Sequence, residues 1–312
     1  MSTQPEQLSP FPPLPKSGIA FPDSPVITAA FLYIKQHTHA ATYNHCVRSA
    51  YWALILAQRL PRYTETQTNT NTTDTSSASR LPNLETVVLA CVLHDMGWAT
   101  TEGLRSKDRR FEVDGANLAR GFLRRWAEDR ESEGESESES AWDAHRAQLV
   151  WDIIALHSTP SIALHAAPEV SLAALGIMAD FAGPAFPADP NNNHDNNPSA
   201  SGDRNRNHQN KNGTGEEQEL GQVITVEEYK EVVRLFPLAG FGREFSKEII
   251  CGLCRDKPAT TYDNFQAGFG LHFGLDGLGG GREEYRRGWE KAMSPEGVLG
   301  GFEFLEELVG DV

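Results

Sequence analysis

The chain has 312 residues and a formal net charge of −15, from 43 acidic and 28 basic side chains. A negative charge of this size repels phosphate backbones and anionic lipid surfaces, so we expect neither a nucleic acid nor a membrane as a partner. With 39% hydrophobic residues the chain can bury a sizeable core. These quantities favour a globular protein that acts on small molecules.

The N-terminal residues 1–22 predict an extended segment that lacks the basic and apolar regions of a secretory signal. We therefore expect a cytoplasmic protein, with the nucleus left open as a second location. The four cysteines suggest no disulfide framework. Cys251 and Cys254 form a CxxC pair that could be half a zinc knuckle or a redox pair. A pair of ordinary structural thiols is favoured, because no second CxxC and no thioredoxin-like pattern accompanies it.

Apolar residues recur at helical spacing through most of the chain, and no convincing alternating pattern indicates a strand. Residues 23–183 are interpreted as a metal-binding helical core, and residues 223–312 as a helical C-terminal portion packed on it. Three polar stretches, 64–79, 128–140 and 184–222, predict flexible loops, because they bury too little apolar area to offset conformational entropy. The fold class is therefore all-α, with predicted helices over 23–37, 42–60, 81–97, 113–129, 141–158, 171–183 and 225–237.

A polar pair ends the most apolar of these helices. The run VVLACVL leads directly into His94 and Asp95, and a buried imidazole and carboxylate are costly unless they pair with each other or hold a cation. Adjacent helix positions point about 100° apart, so a cation at the helix end could lie between the two side chains. His45 and Asp180, on two other apolar helices, could complete a mixed nitrogen and oxygen site. Such a site suits Zn²⁺, Fe²⁺ or Mn²⁺ better than Mg²⁺ or Ca²⁺.

The order His, then His-Asp, then a distant Asp resembles the HD-domain superfamily of metal-dependent hydrolases. The segments TYNHCVRSAYWALILA, LACVLHDMGWAT and PEVSLAALGIMADFAGP are further similar to the fungal cyanamide hydratases and their HD-domain relatives, within a likeness over roughly residues 10–310. The resemblance implies an HD-domain helical bundle with disordered loop insertions. It also implies one divalent metal ion, with zinc favoured, bound by His45, His94, Asp95 and Asp180.

The residue that follows the HDMG motif bears on the type of reaction. Many HD phosphohydrolases continue as H-D-x-G-K, with a lysine that helps to hold phosphate, whereas this chain has Trp98. The resemblance therefore implies hydration of cyanamide, or of a related small nitrile-like compound, to urea or an amide. We expect a metal-bound hydroxide as the nucleophile, and Asp95 or His157 as the catalytic group that relays the proton.

Several other polar side chains have both a structural and a functional interpretation. His157 fits the pocket as well as it fits an ordinary helix end, His165 fits the pocket less well, and His145 predicts an exposed side chain. Glu112 and Asp114 favour capping of the following helix over a role as proton carriers.

The surroundings of the predicted ligands favour a small neutral substrate. Arg48 is the nearest basic residue, and it predicts a surface or supporting salt bridge rather than a phosphate clamp. Trp52, Trp98 and Phe181 are expected to form a tight apolar pocket. Two alternatives stay open, a metal-dependent phosphohydrolase of nucleotides or phosphoesters and a catalytically inactive HD-fold binding module. A homodimer is also left open.

The predicted loops can be tested by deletion. Removal of residues 64–79, or of most of 188–219, is expected to leave folding and metal content nearly unchanged, because the entropy of loop closure changes only slowly with loop length. Size-exclusion chromatography and elemental analysis of both variants would measure this. Loss of soluble protein on either deletion would mean that the deleted stretch is structured.

Overall fold

The structure is a computed structural model that describes residues 10–64, 81–132, 142–187, 223–238, 240 and 242–309. Most of the three predicted loops, and residues 1–9, lie outside these ranges. The prediction of a loop from residue 128 is corrected at its start, because the preceding helix continues to Ser132.

The described residues contain helices and short 3₁₀ turns and no β-strand, which confirms the all-α fold class. None of the described helices is long and apolar enough to cross a membrane. In chain order the helices are α1 Pro25–His37, α2 Ala40–Arg59, α3 Pro61–Thr64, α4 Leu84–Leu93, α5 Phe111–Ser132, α6 Ala144–Leu156, α7 Pro160–Ala163, α8 Pro168–Ala182, α9 Val226–Leu235, α10 Arg243–Asp256, α11 Gln266–Phe273, α12 Arg282–Met293 and α13 Glu296–Val309.

The chain divides into two compact units. The first comprises Met1–Ser106 and Phe111–Phe241, and it contains α1 to α9. The second comprises Lys107–Arg110 and Gly242–Val312, and it contains α10 to α13. Helix α9 therefore groups with the first unit, although the sequence assigned residues 223–312 together to a C-terminal portion.

Helix α4 forms the centre of the first unit. Its residues from Thr86 to Leu93 are all buried, and the helix packs against α1, α2, α6 and α8. Its N-terminus is capped by Asn83, whose side-chain oxygen accepts a hydrogen bond from the Thr86 backbone N–H at 2.9 Å. This cap lets an almost wholly apolar segment begin a helix and carry its C-terminal end into the core.

Helices α2 and α8 approach each other closely at Gly176. A Cβ atom at this position would lie 2.7 Å from the carbonyl oxygen of Ser49 and 2.7 Å from the Cβ of Ala53. The absence of a side chain at Gly176 thus lets the two backbones pack together. This contact sets the separation of the helices that carry His45 and Asp180.

In the second unit, the CxxC pair lies on α10. Cys251 and Cys254 are both buried and free, and the Cys254 thiol donates to the carbonyl oxygen of Gln266 at 3.6 Å. Burial raises the pKa of Cys251 to about 11, so this thiol is neutral near pH 7. Neutral, packed thiols favour the structural interpretation over a redox pair.

A tight turn follows α4 and packs directly against the start of α5. The turn is a 3₁₀ segment over His94–Trp98, which we call the His-Asp turn. A Cβ atom at Gly97 would overlap the carbonyl oxygen of Phe111. A Cβ atom at Gly115 would lie 3.0 Å from the carbonyl oxygen of His94. Both glycines therefore bring the first turns of α5 against the His-Asp turn.

Substitution at Gly97 tests this packing. Gly97→Ala is expected to lower the free energy of unfolding by about 1–3 kcal/mol, because an overpacked site forces its neighbours to shift. The control is Gly121→Ala in α5, where the nearest atom is the flexible end of Arg125 at 3.4 Å. There alanine is the better helix former by about 1 kcal/mol. Denaturant unfolding followed by circular dichroism measures both variants, and wild-type stability of Gly97→Ala would contradict the packing.

Candidate metal centre

The His-Asp pair lies on a 3₁₀ turn, which corrects the prediction of a continuous helix over 81–97. Helix α4 ends at Leu93, and Asp95 has φ −96° and ψ 21°, outside helical values. The two side chains consequently converge, and Nε2 of His94 lies 3.3 Å from Oδ2 of Asp95. The regular-helix geometry used to interpret the sequence does not apply at this position.

Three of the predicted ligands come together in one buried cluster. His45, His94 and Asp95 each offer a ligand atom, and these atoms all lie within 4.8 Å of one another. Nε2 of His45 lies 3.8 Å from Oδ2 of Asp95, and the side chains of all three residues are at most 2% exposed. Helix α2 supplies the first residue, and the His-Asp turn supplies the other two.

Each histidine near Asp95 is held through its Nδ1 atom. In each case Nδ1 forms a hydrogen bond with a carboxylate or carbonyl oxygen, so Nδ1 carries the proton. In a neutral ring the Nε2 atom then has an unprotonated lone pair. A bare Nε2 can bind a cation or accept a proton. The three hydrogen bonds run from His45 to Asp180 Oδ2 at 2.6 Å, from His94 to the Cys91 carbonyl at 2.8 Å, and from His157 to the Ile154 carbonyl at 2.7 Å.

The cluster has the chemistry of a metal site. Nε2 of His94 and Oδ2 of Asp95 are buried, and within the described part of the chain neither has a hydrogen-bond partner. Such atoms cost free energy unless something satisfies them. A divalent transition metal ion would satisfy both atoms, and two imidazole nitrogens with a carboxylate suit such an ion. The residues present therefore fit a divalent metal ion.

The charges of His94 and Asp95 depend on each other. Burial favours the neutral form of both side chains, but the interactions of His94 with Asp95 and Cys46 together raise the pKa of His94 well above its usual value. Burial also opposes ionisation of Asp95, yet the charge of His94 lowers the pKa of this carboxyl. A proton and a cation thus compete for the same lone pair on His94.

Asp180 lies beside His45 and outside the three-residue cluster. Its Oδ2 accepts hydrogen bonds from Nδ1 of His45 at 2.6 Å and from Nη2 of Arg48 at 2.7 Å. Its Oδ1 accepts from Nε of Arg48 and from Nε1 of Trp52, both at 2.8 Å. Burial opposes the charge of Asp180, but the bonds from His45 and Arg48 hold its pKa well below the usual range. Its role as a fourth metal ligand stays a prediction.

Arg48 is fully buried and serves as a supporting partner of Asp180. Its Nη1 atom also donates to the carbonyl oxygens of Phe236, at 3.2 Å, and Pro237, at 3.1 Å. This bidentate guanidinium ties α2 to α8 and to the segment that follows α9. The sequence indicated that Arg48 lies near the site, because it follows His45 by three positions and shares its helix face.

His157 joins the site from the end of α6. Its Nε2 lies 3.9 Å from Oδ1 of Asp95, and its ring centroid lies 4.8 Å from that of His94. Burial and the nearby His94 lower the pKa of His157 to about 4, so the ring is neutral near pH 7. His165 and His145 are exposed, as expected for the latter.

The two acidic residues at the start of α5 accept hydrogen bonds from serines. Asp114 accepts hydrogen bonds from the backbone N–H and the hydroxyl of Ser106, both at 3.1 Å. Glu112 is 0% exposed and accepts a hydrogen bond from the hydroxyl of Ser158, next to His157. Both residues lie in the first turn of α5, and their capping of this helix stays a prediction. The only sequence signal for Ser158 was its place beside His157.

The three aromatic residues expected to wall a pocket lie in different surroundings. Trp52 is buried and stacks on Tyr229 at a centroid distance of 5.7 Å, so it packs in the core. Trp98 is 6% exposed and packs against Phe111. Phe181 is 64% exposed, and its ring centroid lies 5.1 Å from that of His45. Of the three, Phe181 is thus the exposed one, and its ring lies beside His45 of the cluster.

One family model of known proteins matches the part of the chain that holds this site. Residues 42–181 match the family model of the HD domain, and this range includes the three clustered residues together with His157 and Asp180. A search of curated proteins finds no match. Residues 42–181 are thus similar to the HD domain and include a His/Asp cluster compatible with a divalent metal ion, a combination typical of metal-dependent hydrolases.

The contribution of the ion pair between Arg48 and Asp180 can be tested by replacing Arg48 with a neutral side chain. Arg48→Met is expected to lower the free energy of unfolding by about 3–5 kcal/mol, because it leaves a buried carboxylate without its charged partner. Arg124→Met is the matched control, since the pair of Arg124 and Glu128 in α5 is exposed, with 3.7 Å between Nε and Oε1. Its loss is expected to have no measurable effect. Urea unfolding of the metal-free variants measures both, and equal stabilities would contradict a structural role for Arg48.

Proposed function

We propose that this HD-domain chain is a metal-dependent enzyme that hydrates cyanamide, or a related small nitrile-like compound, to urea or an amide. The observation that carries the proposal is the pair of buried, unsatisfied ligand atoms on His94 and Asp95, beside Nε2 of His45 and a further neutral base on His157. Zinc is the metal we propose, because a mixed nitrogen and oxygen set suits it. Fe²⁺ and Mn²⁺ share that preference.

His45, His94 and Asp95 are the residues that would hold the metal. Asp180 stays our proposed fourth ligand, and to bind the ion it would have to give up hydrogen bonds that its oxygens accept from His45, Arg48 and Trp52. A bound divalent cation lowers the pKa of water toward neutrality and polarises a nitrile nitrogen. In the same site Asp180 fixes the Nδ1 proton on His45, so Nε2 of that ring faces the cluster as a lone pair.

His157 is the residue we propose for moving the proton. Hydration forms a bond between the oxygen of water and the nitrile carbon, and both protons of that water end on the nitrile nitrogen. No electrons are gained or lost overall. The Nδ1 proton of His157 is bound to the Ile154 carbonyl, so Nε2 is the atom that accepts a proton from the attacking water and returns it to nitrogen.

The basic residues near the site support a neutral substrate over a phosphate ester. Arg48 is fully buried and is already bonded to Asp180 and to two backbone carbonyls. Position 98, where the resemblance places a lysine in many phosphohydrolases, holds a tryptophan packed against Phe111. The phosphohydrolase alternative would need another cation to hold its substrate.

A binding module without turnover is the alternative of a different class. It does not require unsatisfied ligand atoms together with a neutral imidazole beside them, so the composition of the site favours an enzyme.

Purified, zinc-loaded protein can be assayed against cyanamide, a panel of nitriles and isocyanides, and nucleotides, with elemental analysis of the same sample. We expect about one transition metal ion per chain and turnover of cyanamide or a nitrile. Two metal ions per chain with nucleotide turnover would favour the phosphohydrolase, and no turnover would favour the binding module.

Two substitutions separate metal binding from proton transfer. Asp95→Ala is expected to lose both metal and turnover, because it removes a ligand. His157→Ala is expected to keep the metal and to lower kcat on the order of 100-fold or more, the usual contribution of a positioned proton carrier. His165→Ala, which removes an exposed histidine of the same unit, is the control and should match the wild type.

Metal content and urea formation from cyanamide are the quantities to measure. Full activity of His157→Ala would return that histidine to a structural role. Full activity of Asp95→Ala would contradict the metal-dependent mechanism itself.

A further inference from the structure

We propose that Glu112 and Ser158 form a positioning pair that holds His157 in place beside Asp95. The inference rests on the proposed function, in which His157 moves the proton. Neither Glu112 nor Ser158 is placed among the metal ligands, and both act through the hydrogen bond between them.

The surroundings of Glu112 are unusual for a carboxylate near a helix start. Glu112 is the second residue of α5, where an acidic side chain ordinarily faces solvent and interacts with the helix dipole. Here it is 0% exposed, and the preceding residue, Phe111, packs against the His-Asp turn at Gly97. Burial of a carboxylate costs free energy. If Glu112 only stabilised the helix, an exposed side chain would do so without this cost.

The hydrogen bond of Glu112 joins two distant parts of the chain. The hydroxyl of Ser158 donates to Oε1 of Glu112 across 46 positions of sequence. Ser158 comes directly after His157, which is the C-terminal cap of α6. The bond therefore ties the end of α6 to the beginning of α5, immediately beside the imidazole.

The imidazole of His157 is fixed from both sides by these contacts. Its Nδ1 proton is bound within the last turn of α6, to the Ile154 carbonyl at 2.7 Å. Its ring meets Phe111 edge to face, with centroids 5.6 Å apart and an interplanar angle of 83°. Helix ends fray easily, and the bond from Ser158 to Glu112 keeps this end in the position that leaves Nε2 3.9 Å from Asp95 Oδ1.

The variants are chosen to separate the hydrogen bond from the charge. Ser158→Ala removes the donor, and Glu112→Ala removes the acceptor. Glu112→Gln keeps an oxygen that can accept from Ser158 but removes the charge. The control is Ser171→Ala, which removes another serine hydroxyl that is hydrogen-bonded to a side chain, the Tyr63 hydroxyl at 2.8 Å.

Three measurements are made on the full-length protein. Nitrogen-15 NMR of labelled histidines follows the solvent exchange of the His157 Nδ1 proton. Competition with a chelator gives the zinc affinity, and steady-state kinetics on cyanamide gives kcat and KM. Thermal unfolding shows whether each variant is folded, and Ser158→Ala, the smallest change, keeps the test valid where Glu112→Ala fails to fold.

Ser158→Ala and Glu112→Ala are expected to speed exchange of the His157 proton and to lower kcat about 10- to 100-fold, as for other residues that orient a catalytic group. KM and zinc affinity should stay near wild type. Glu112→Gln should have nearly wild-type exchange of the His157 proton and nearly wild-type kcat, and Ser171→Ala should change neither quantity.

Unchanged exchange and unchanged kcat in Ser158→Ala would overturn the proposal. Glu112→Gln that is as impaired as Glu112→Ala would also overturn it, since the charge rather than the hydrogen bond would then be required. If the wild type hydrates no nitrile while Ser158→Ala still frees the His157 proton, the positioning pair stands and the proposed function fails.

Discussion

The organisation of the centre depends on how its histidines are held. His45, His94 and His157 each donate from Nδ1 to an oxygen acceptor. This leaves the Nε2 atoms of the three rings 3.8, 3.3 and 3.9 Å from the carboxylate oxygens of Asp95. Three imidazoles converge on one carboxylate in the core, where unsatisfied polar atoms are costly. A cation bound between these side chains would offset that cost.

Burial of a second carboxylate nearby is offset by a different interaction. Asp180 accepts four hydrogen bonds, two of them from the guanidinium of Arg48 and the others from His45 and Trp52. Because Arg48 also binds the carbonyls of Phe236 and Pro237, one side chain links three segments of the first unit. The position of His45 is therefore coupled to the packing of α2 against α8 and of the segment after α9.

The all-α fold class and the residues of the His/Asp cluster could be predicted from the sequence. Apolar periodicity is a local property, so it predicted the all-α fold. A histidine and a carboxylate at the end of an apolar run are costly wherever they are buried, so His94 and Asp95 were predicted without any contact information. His45 and Asp180 were candidates on their own apolar helices, and the resemblance to HD-domain proteins implied them as ligands. Each of these inferences uses neighbours within a few positions along the chain.

The hydrogen-bond partners of these residues depend on how the helices pack. The packing of α5 against Gly97 accompanies the break in helix geometry at Asp95. The bonds of Asp180 to Arg48, across 132 positions, and of Ser158 to Glu112, across 46, depend on which helix faces meet. Helical periodicity states which face of a helix is buried but not what lies opposite it. The partners of buried polar groups are therefore fixed by packing, and the sequence pattern alone does not contain them.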